Sequence, residues 1–311
     1  MRAVFGLTPW ESKRLIGRAV AALPEVRHAR EHAQIVIGHG STNVFVAEEI
    51  LAQRLETRDR YVSGQVINGT LCQTEPSEKP YLIRLVNGKP VPPVPTMEET
   101  FAGWGTESLF IKGANAVDSE GNVGIFNAHP GAGTVGFAIG WICGTGIPMI
   151  VPVGLEKLVP SVRDACQQLG HAKVDYFYGT KIGMTPVMNA KVVTEIQAFD
   201  ILFGLNAVHV GSGGVTGSEG TVVIAVNGEE ETVRAAIDLI ENHIKGEQPL
   251  ELKKRWCADC FATPAANQSQ MAKDADSDKD RAAQAKGCKQ CLFSGKKESE
   301  LPEWFKVREP V

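Results

Sequence analysis

The chain lacks most of the features that would send it out of the cell, into a membrane or onto nucleic acid. Its first ten residues, Met1 to Trp10, contain no apolar core of signal-peptide length before Glu11. The expected compartment is therefore the cytoplasm. Neither sign of charge dominates: 32 Lys and Arg face 36 Asp and Glu, a net charge of −4 that provides no basic surface for a nucleic-acid or membrane partner. Cysteine is scarce and odd in number, with seven residues, which excludes a simple disulfide scaffold. One long uncharged stretch, Pro130 to Leu155, is long enough to span a bilayer, but its seven glycines and Pro148 break it too often for a membrane-spanning helix. A buried helix over 134–143 followed by a buried strand over 148–153 is the expected reading, since strands covered on both faces form uninterrupted apolar runs.

What is present reads as an α/β protein. At 311 residues the chain has room for one large domain and a smaller one. Thr8-Pro9-Trp10-Glu11 is a capping box with proline at the first helical position, and Leu15, Ile16, Ala19, Val20 and Leu23 follow at helical spacing. A strand over 33–38, a glycine loop and a helix over 43–55 come next. Asn68-Gly69 and Asn87-Gly88 mark hairpin turns, placing an antiparallel excursion over 61–95 beside the main sheet. Pro90, Pro92, Pro93 and Pro95 stiffen its end. Further strands are expected over 109–112, 148–153 and 174–178, with a helix over 155–169. Beyond Lys191 the order is helix (195–205), strand (207–210), a glycine turn at 211–214, strand (221–226) and helix (229–244), which is like part of a ferredoxin-like unit. The expected fold is thus a Rossmann-like, mostly parallel sheet flanked by helices over 1–190 and a ferredoxin-like α+β portion over 191–250. A small metal-binding tail occupies 251–311.

Two glycine-rich segments carry the chemistry. Gly38-His-Gly-Ser-Thr42 stands between a strand and a helix, where glycine lets backbone approach a ligand and the helix N-terminus attracts an anion. Ser41 and Thr42 add hydroxyls, with plain helix capping as the competing role. The second segment runs from Lys112-Gly-Ala-Asn115 to Pro130-Gly-Ala-Gly-Thr134.

These residues resemble a superfamily, the NagB/RpiA/CoA-transferase-like proteins. It includes ribose-5-phosphate isomerase, glucosamine-6-phosphate deaminase, methylthioribose-1-phosphate isomerase and the CoA transferases. Gly40-Ser41-Thr42 matches the loop with which ribose-5-phosphate isomerases bind a sugar phosphate. Gly113-Ala-Asn-Ala-Val, Gly121-Asn-Val and Gly133-Thr134 are similar to the Gly-Ala-Asp-x-Val…Gly…Gly-Thr run of the methylthioribose-phosphate isomerases. Pro152-Val-Gly-Leu-Glu-Lys157 corresponds to a strand and loop with a phosphate-facing lysine. The resemblance spans residues 30–245. It implies a small anionic, phosphorylated or carboxylated metabolite held by Gly40, Ser41, Thr42, Lys112, Asn115 and Lys157, in a homo-oligomer.

Asn115 stands where the isomerases carry aspartate, and an amide cannot accept a proton as a base. Asp118, Glu120 and His129 are the candidates for proton transfer in its place. A solvated Asp-Ser-Glu-Gly turn and an exposed loop histidine are the competing readings. Two functions stay open: an isomerase-like or acyl/CoA-transferase-like enzyme, and a non-catalytic ligand sensor or assembly component of the same fold.

The tail carries two C-x-x-C pairs, Cys257/Cys260 and Cys288/Cys291. Two such pairs supply the four thiolates of a structural zinc site, the first choice; an iron–sulfur cluster is also compatible with the donors, and reduced thiols or a redox dithiol pair are the competing reading. The spacer exceeds the about 15–20 residues of common zinc ribbons, but a polar spacer loops out at small entropic cost.

Overall fold

The computed structural model describes residues 1–73, 80–92, 94, 96–252, 257 and 291–306. It shows a mixed α/β protein built on one mostly parallel six-stranded sheet. The parallel strands are β2 (Gln34–Ile37), β7 (Leu109–Ile111), β10 (Met149–Pro152) and β12 (Lys191–Val193). The antiparallel strands β5 (Ile83–Val86) and β6 (Lys89–Pro90) extend the sheet beyond β2, giving the order β12-β10-β7-β2-β5-β6. The second expected hairpin is therefore the edge of the main sheet. The first, β3 (Gly64–Ile67) and β4 (Thr70–Gln73), forms a separate two-stranded ribbon. Asn68, Gly69, Asn87 and Gly88 all have positive φ, as a two-residue type I′ turn requires.

Alternation along the strands divides the core. Ile35, Ile37, Leu109, Ile111 and Ile150 face one cluster, shared with helices α1 (Pro9–Ala22), α3 (Ser41–Leu51) and α7 (Glu195–Phe203). Val36, Phe110, Met149 and Val151 face another, shared with α4 (Met97–Phe101) and α5 (Gly133–Thr145). The capping box of α1 is formed as its sequence predicts, with Glu11 N–H donating to Thr8 Oγ1 at 3.4 Å and Thr8 N–H to Glu11 Oε2 at 2.9 Å. A short second helix, α2 (Pro24–His32), follows directly.

A three-stranded antiparallel sheet joins the two ends of the α/β region. Strand β1 (Arg2–Leu7), which the sequence patterns left unassigned, pairs with β14 (Thr221–Asn227) from Arg2↔Asn227 to Leu7↔Val222, and β13 (Asn206–Gly213) flanks β14. Helix α8 (Glu230–Leu239) follows β14 and continues as a π-helical turn to Ile244.

Several expectations need correction. The helix expected over 155–169 is a 3-10 turn at Leu155–Lys157 and a separate α6 (Val162–Gln168), because Pro160 intervenes and Ser161 starts a new helix by accepting from Asp164 N–H at 3.1 Å. The strand expected over 174–178 is irregular chain that meets β4 through a single Leu71↔Gly179 bridge. Gly179 has φ of 102°, and a side chain there would strike the Leu71 carbonyl. The glycine turn at 211–214 is mostly strand: β13 runs to Gly213, with a bulge between His209 and Gly211. Helix α5 is not fully buried. Val135, Ala138 and Ile142 face inward, while Gly140, Cys143 and Gly144 are exposed. Its outer side is made of small residues instead of polar ones, which its composition did not reveal. No described helix is long and apolar enough to cross a membrane.

Candidate functional site

Because β2, β7, β10 and β12 run parallel, their C-terminal ends emerge at one edge of the sheet, where open α/β sheets bind ligands. The Gly38–Thr42 loop leaves β2 at this edge. Helix α3 starts at Ser41 with Gly40 as N-cap and no side-chain cap hydrogen bond. Neither Ser41 nor Thr42 caps the helix, so its first-turn N–H groups keep the anion-binding character of an open helix N-terminus. Thr42 is buried and Ser41 half-buried.

Buried Asn43 joins the ends of β2 and β7. Its Nδ2 donates to Gly38 O at 2.6 Å, and more weakly to Ile111 O at 3.5 Å. Lys112 then crosses over Gly38. A side chain at residue 38 would fall 2.6 Å from Lys112 Cδ, so glycine makes room for the lysine. The Lys112 ammonium donates to His39 O at 3.1 Å and Gly113 O at 3.4 Å. It thereby lies between the first and second glycine segments. His39 is itself buried, with Nε2 2.8 Å from Pro80 O and its ring stacked on Tyr61.

The candidate proton-transfer residues lie on the turn and the loop that follow β7 in the chain. Asp118 is in the turn between β8 (Ala116–Val117) and β9 (Val123–Asn127). Its Oδ1 accepts from Glu120 N–H (3.1 Å) and Asn122 N–H (2.9 Å), and its Oδ2 from Asn122 Nδ2 (3.1 Å) and Val162 N–H (3.0 Å). Burial works to raise its pKa, but Val162 N–H and the Asn122 donors hold it below the ordinary aspartate value. Glu120 is exposed and accepts from Asn122 Nδ2 at 3.3 Å. His129 Nδ1 accepts from Gly131 N–H at 3.0 Å in the loop leading to α5. Asn115 Oδ1 accepts from Phe126 N–H at 2.9 Å, which makes it part of the link from β7 to β9.

A cluster that sequence reasoning did not assemble occupies the ends of β10 and β12. Lys13 of α1 is buried and donates to Pro9 O at 3.0 Å and Glu156 Oε1 at 3.1 Å. Lys157, expected to face an anion, lies 3.6 Å from the same Glu156 oxygen. Glu195, the first residue of α7, is completely buried, and its Oε2 accepts from Leu155 N–H at 2.9 Å. Burial, then the neighbouring Glu156 charge, push the Glu195 carboxyl up to about 7. Burial also opposes the Glu156 charge, but Lys157 and Lys13 hold that carboxyl below its ordinary range. Burial dominates at Lys13 and lowers its pKa. The signal available in sequence was a Thr-Glu pair directly after a strand, read there only as a helix start.

In the tail, Cys257 is buried with Phe293, Leu301 and Phe305, and Cys291 packs against the same cluster. Gly295 N–H donates to Cys257 O at 2.7 Å and Ser294 N–H to Cys291 O at 3.3 Å. One cysteine of each C-x-x-C pair is thus brought to one place. Cys260 and Cys288 lie outside the described residues, as do Pro93, Pro95 and the polar segment 264–286. Among the described residues, no three His, Cys, Asp or Glu side chains gather as a metal site.

No protein-family model matches the chain, and no curated protein matches it in sequence.

Proposed function

We propose that this chain is a cytoplasmic, homo-oligomeric enzyme of the sugar-phosphate isomerase and CoA-transferase superfamily, with a Rossmann-like core and a ferredoxin-like portion. It acts on a small anionic, phosphorylated or carboxylated metabolite bound at the C-terminal edge of the main sheet. The observation that supports the reading is the start of α3, which has no side-chain cap, in the same loop whose His39 carbonyl accepts the Lys112 ammonium at 3.1 Å. Gly40 supplies the close backbone approach, and Asn115 and Lys157 border the same sheet edge. Calorimetry with inorganic phosphate, pentose phosphates and CoA tests the reading. Binding that weakens tenfold or more when Ser41 and Thr42 are both changed to alanine supports it, and equal affinity of the two proteins rejects it.

A non-catalytic sensor is the second reading, and one observation favours it. Asp118 accepts four hydrogen bonds within its own turn and at the start of α6, and Asn115 is an amide bonded to Phe126. In the enzymatic reading, proton transfer then falls to Glu120, to His129 or to the acids at the end of β10. Turnover of any aldose phosphate, ketose phosphate or CoA thioester by the pure protein decides between the two.

The tail is proposed to hold one structural zinc ion through Cys257, Cys260, Cys288 and Cys291, with an iron–sulfur cluster as the alternative. The meeting of Cys257 and Cys291 on one apolar cluster supports a shared site. When bound, the ion would cross-link the two ends of the spacer.

A further inference from the structure

We propose that His28 and His32 of α2 chelate one zinc-like divalent ion, with Glu107 holding the His28 ring in position. The helix carries the sequence His28-Ala-Arg-Glu31-His32. Residues four apart lie one above the other on a helix, and two histidines at this spacing are how zinc-binding helices present two ligands to one ion. Val26 and Ala29 pack inward, which turns the histidines toward solvent. Their side chains are 48% and 60% exposed, so an ion can reach both from outside.

The ring geometry fits a shared ion. Zinc binds imidazole nitrogen at about 2.0–2.1 Å, and the tetrahedral angle then sets the centres of two bound rings about 5 Å apart. The His28 and His32 ring centres are 5.0 Å apart, with their planes inclined at 53°. The sheet supplies the third participant. Because β2 and β7 are parallel neighbours with Ile35 level with Leu109, the chain entering β7 passes the end of α2. Glu107 stands there, with Oε1 3.1 Å from His28 Nε2. A carboxylate that accepts from one imidazole N–H fixes the tautomer and leaves the other nitrogen to ligate, the arrangement found behind metal-bound histidines. As an exposed ion pair it would add only about 0–1 kcal/mol to stability, so the fold does not call for it.

Among the described residues no third side chain joins the two histidines as a ligand, so the ion keeps water in its remaining positions. Imidazole suits zinc, copper and nickel alike. Two neutral ligands hold such an ion far more loosely than four thiolates do, and it leaves on dilution. The site therefore adds nothing to the metal that purified protein carries on its cysteines. His32 and Glu107 each stand two residues before a parallel strand, at the opposite end of the sheet from the Gly38–Thr42 loop. The inference is thus independent of what that loop binds.

Histidine-ring NMR of the full chain, titrated with a zinc salt, tests it. Of the seven histidines, His28 and His32 should respond together and saturate with one ion beyond any that the cysteines take up. His28→Ala should weaken the response of the His32 ring about tenfold or more, because a second ligand held nearby is lost, and His32→Ala should do the same to His28. Glu107→Gln should weaken both responses several-fold while both rings still respond, as expected of a positioning residue. Cys257→Ser should leave them unchanged, which separates this site from the tail. If neither ring responds below about 1 mM zinc, or His32 responds equally well in the His28→Ala protein, the shared site does not exist. An unchanged response in Glu107→Gln would remove Glu107 from it. The wild-type titration decides the first point whatever a variant does to the fold.

Discussion

Asp118 Oδ2 accepts the Val162 N–H at 3.0 Å, so the β8–β9 turn is fastened to the first residue of α6. The same carboxylate gathers three more donors from Glu120 and Asn122. A residue tied this way orders a loop. Asp118→Asn replaces one acceptor oxygen with a donor that faces N–H groups, and should cost about 1–3 kcal/mol, the range for leaving a buried hydrogen-bonding group unsatisfied. Because the folded pKa lies below the unfolded one, the wild-type contribution is present above the ordinary aspartate value of 3.8 and is lost as pH falls through the folded pKa. Urea unfolding at pH 7 and in acid measures both effects. Phosphate affinity should change little in this variant, whereas a large loss of affinity with unchanged stability would return Asp118 to the ligand site.

Gly38 offers a more selective probe of the anion loop. An alanine methyl there would press on Lys112 Cδ, the middle of a flexible side chain, so the lysine can move away with little cost to the fold. Gly38→Ala should therefore weaken phosphate binding several-fold through displacement of the ammonium, with a melting temperature close to that of the wild type. Lys112→Met should give a similar loss. A Gly38→Ala protein that binds phosphate normally while Lys112→Met does not would show that the lysine finds another route to the ligand.

Behind α3, Arg14 holds three acidic residues: Nη2 donates to Glu48 at 2.7 Å, Nη1 to Glu49 at 2.9 Å and Nε to Glu247 at 2.7 Å. Arg58 also pairs with Glu48 at 2.8 Å, and both guanidiniums lie over the Phe45 ring, at 4.7 and 4.8 Å from its centre. The network binds α1 and α3 to the chain that follows α8. Arg14→Met leaves Glu48 and Glu247 with fewer cations in a buried setting. A loss of about 3–5 kcal/mol is expected, as for breaking a buried pair from one side. Arg14→Lys should recover only part, since an ammonium cannot reproduce the three-way fork. Denaturant midpoints of the three proteins check the order.

What was legible in the sequence was local. The capping box at Thr8, the Asn-Gly hairpins and the Gly-Ser-Thr loop between strand and helix each depend on residues within a few positions of one another. The apolar runs over 109–112 and 148–153 also fixed two central strands, because burial on both faces leaves a compositional trace. What escaped was carried by distant residues. Nothing near Arg2 announces pairing with Asn227, and Arg14 finds Glu247 only in the folded chain. Glu195 looked like an ordinary first-turn acid, and its burial beside Glu156 depends on how β10 and β12 end. The helix expected over 155–169 failed for a local reason: Pro160-Ser161 is a break and a new cap.

The tail makes the last prediction. Cys257 and Cys291 come from different C-x-x-C pairs and share the cluster of Phe293, Leu301 and Phe305, so folding has already closed the long spacer between them. If all four cysteines share one ion, purified protein should carry one equivalent of metal per chain. A colourless metalloprotein means zinc, whose filled d shell is redox-silent, and a brown one means an iron–sulfur cluster. Cys257→Ser should lower metal content and expose the region around 291–306 to proteases, because metal binding and ordering of a small module are coupled. The main sheet should survive chelation, since the core clusters on its two faces draw on residues before Leu250. Metal content near zero in protein prepared without oxygen, with all four thiols free to titrate, would leave the Phe293 cluster as a purely apolar clamp.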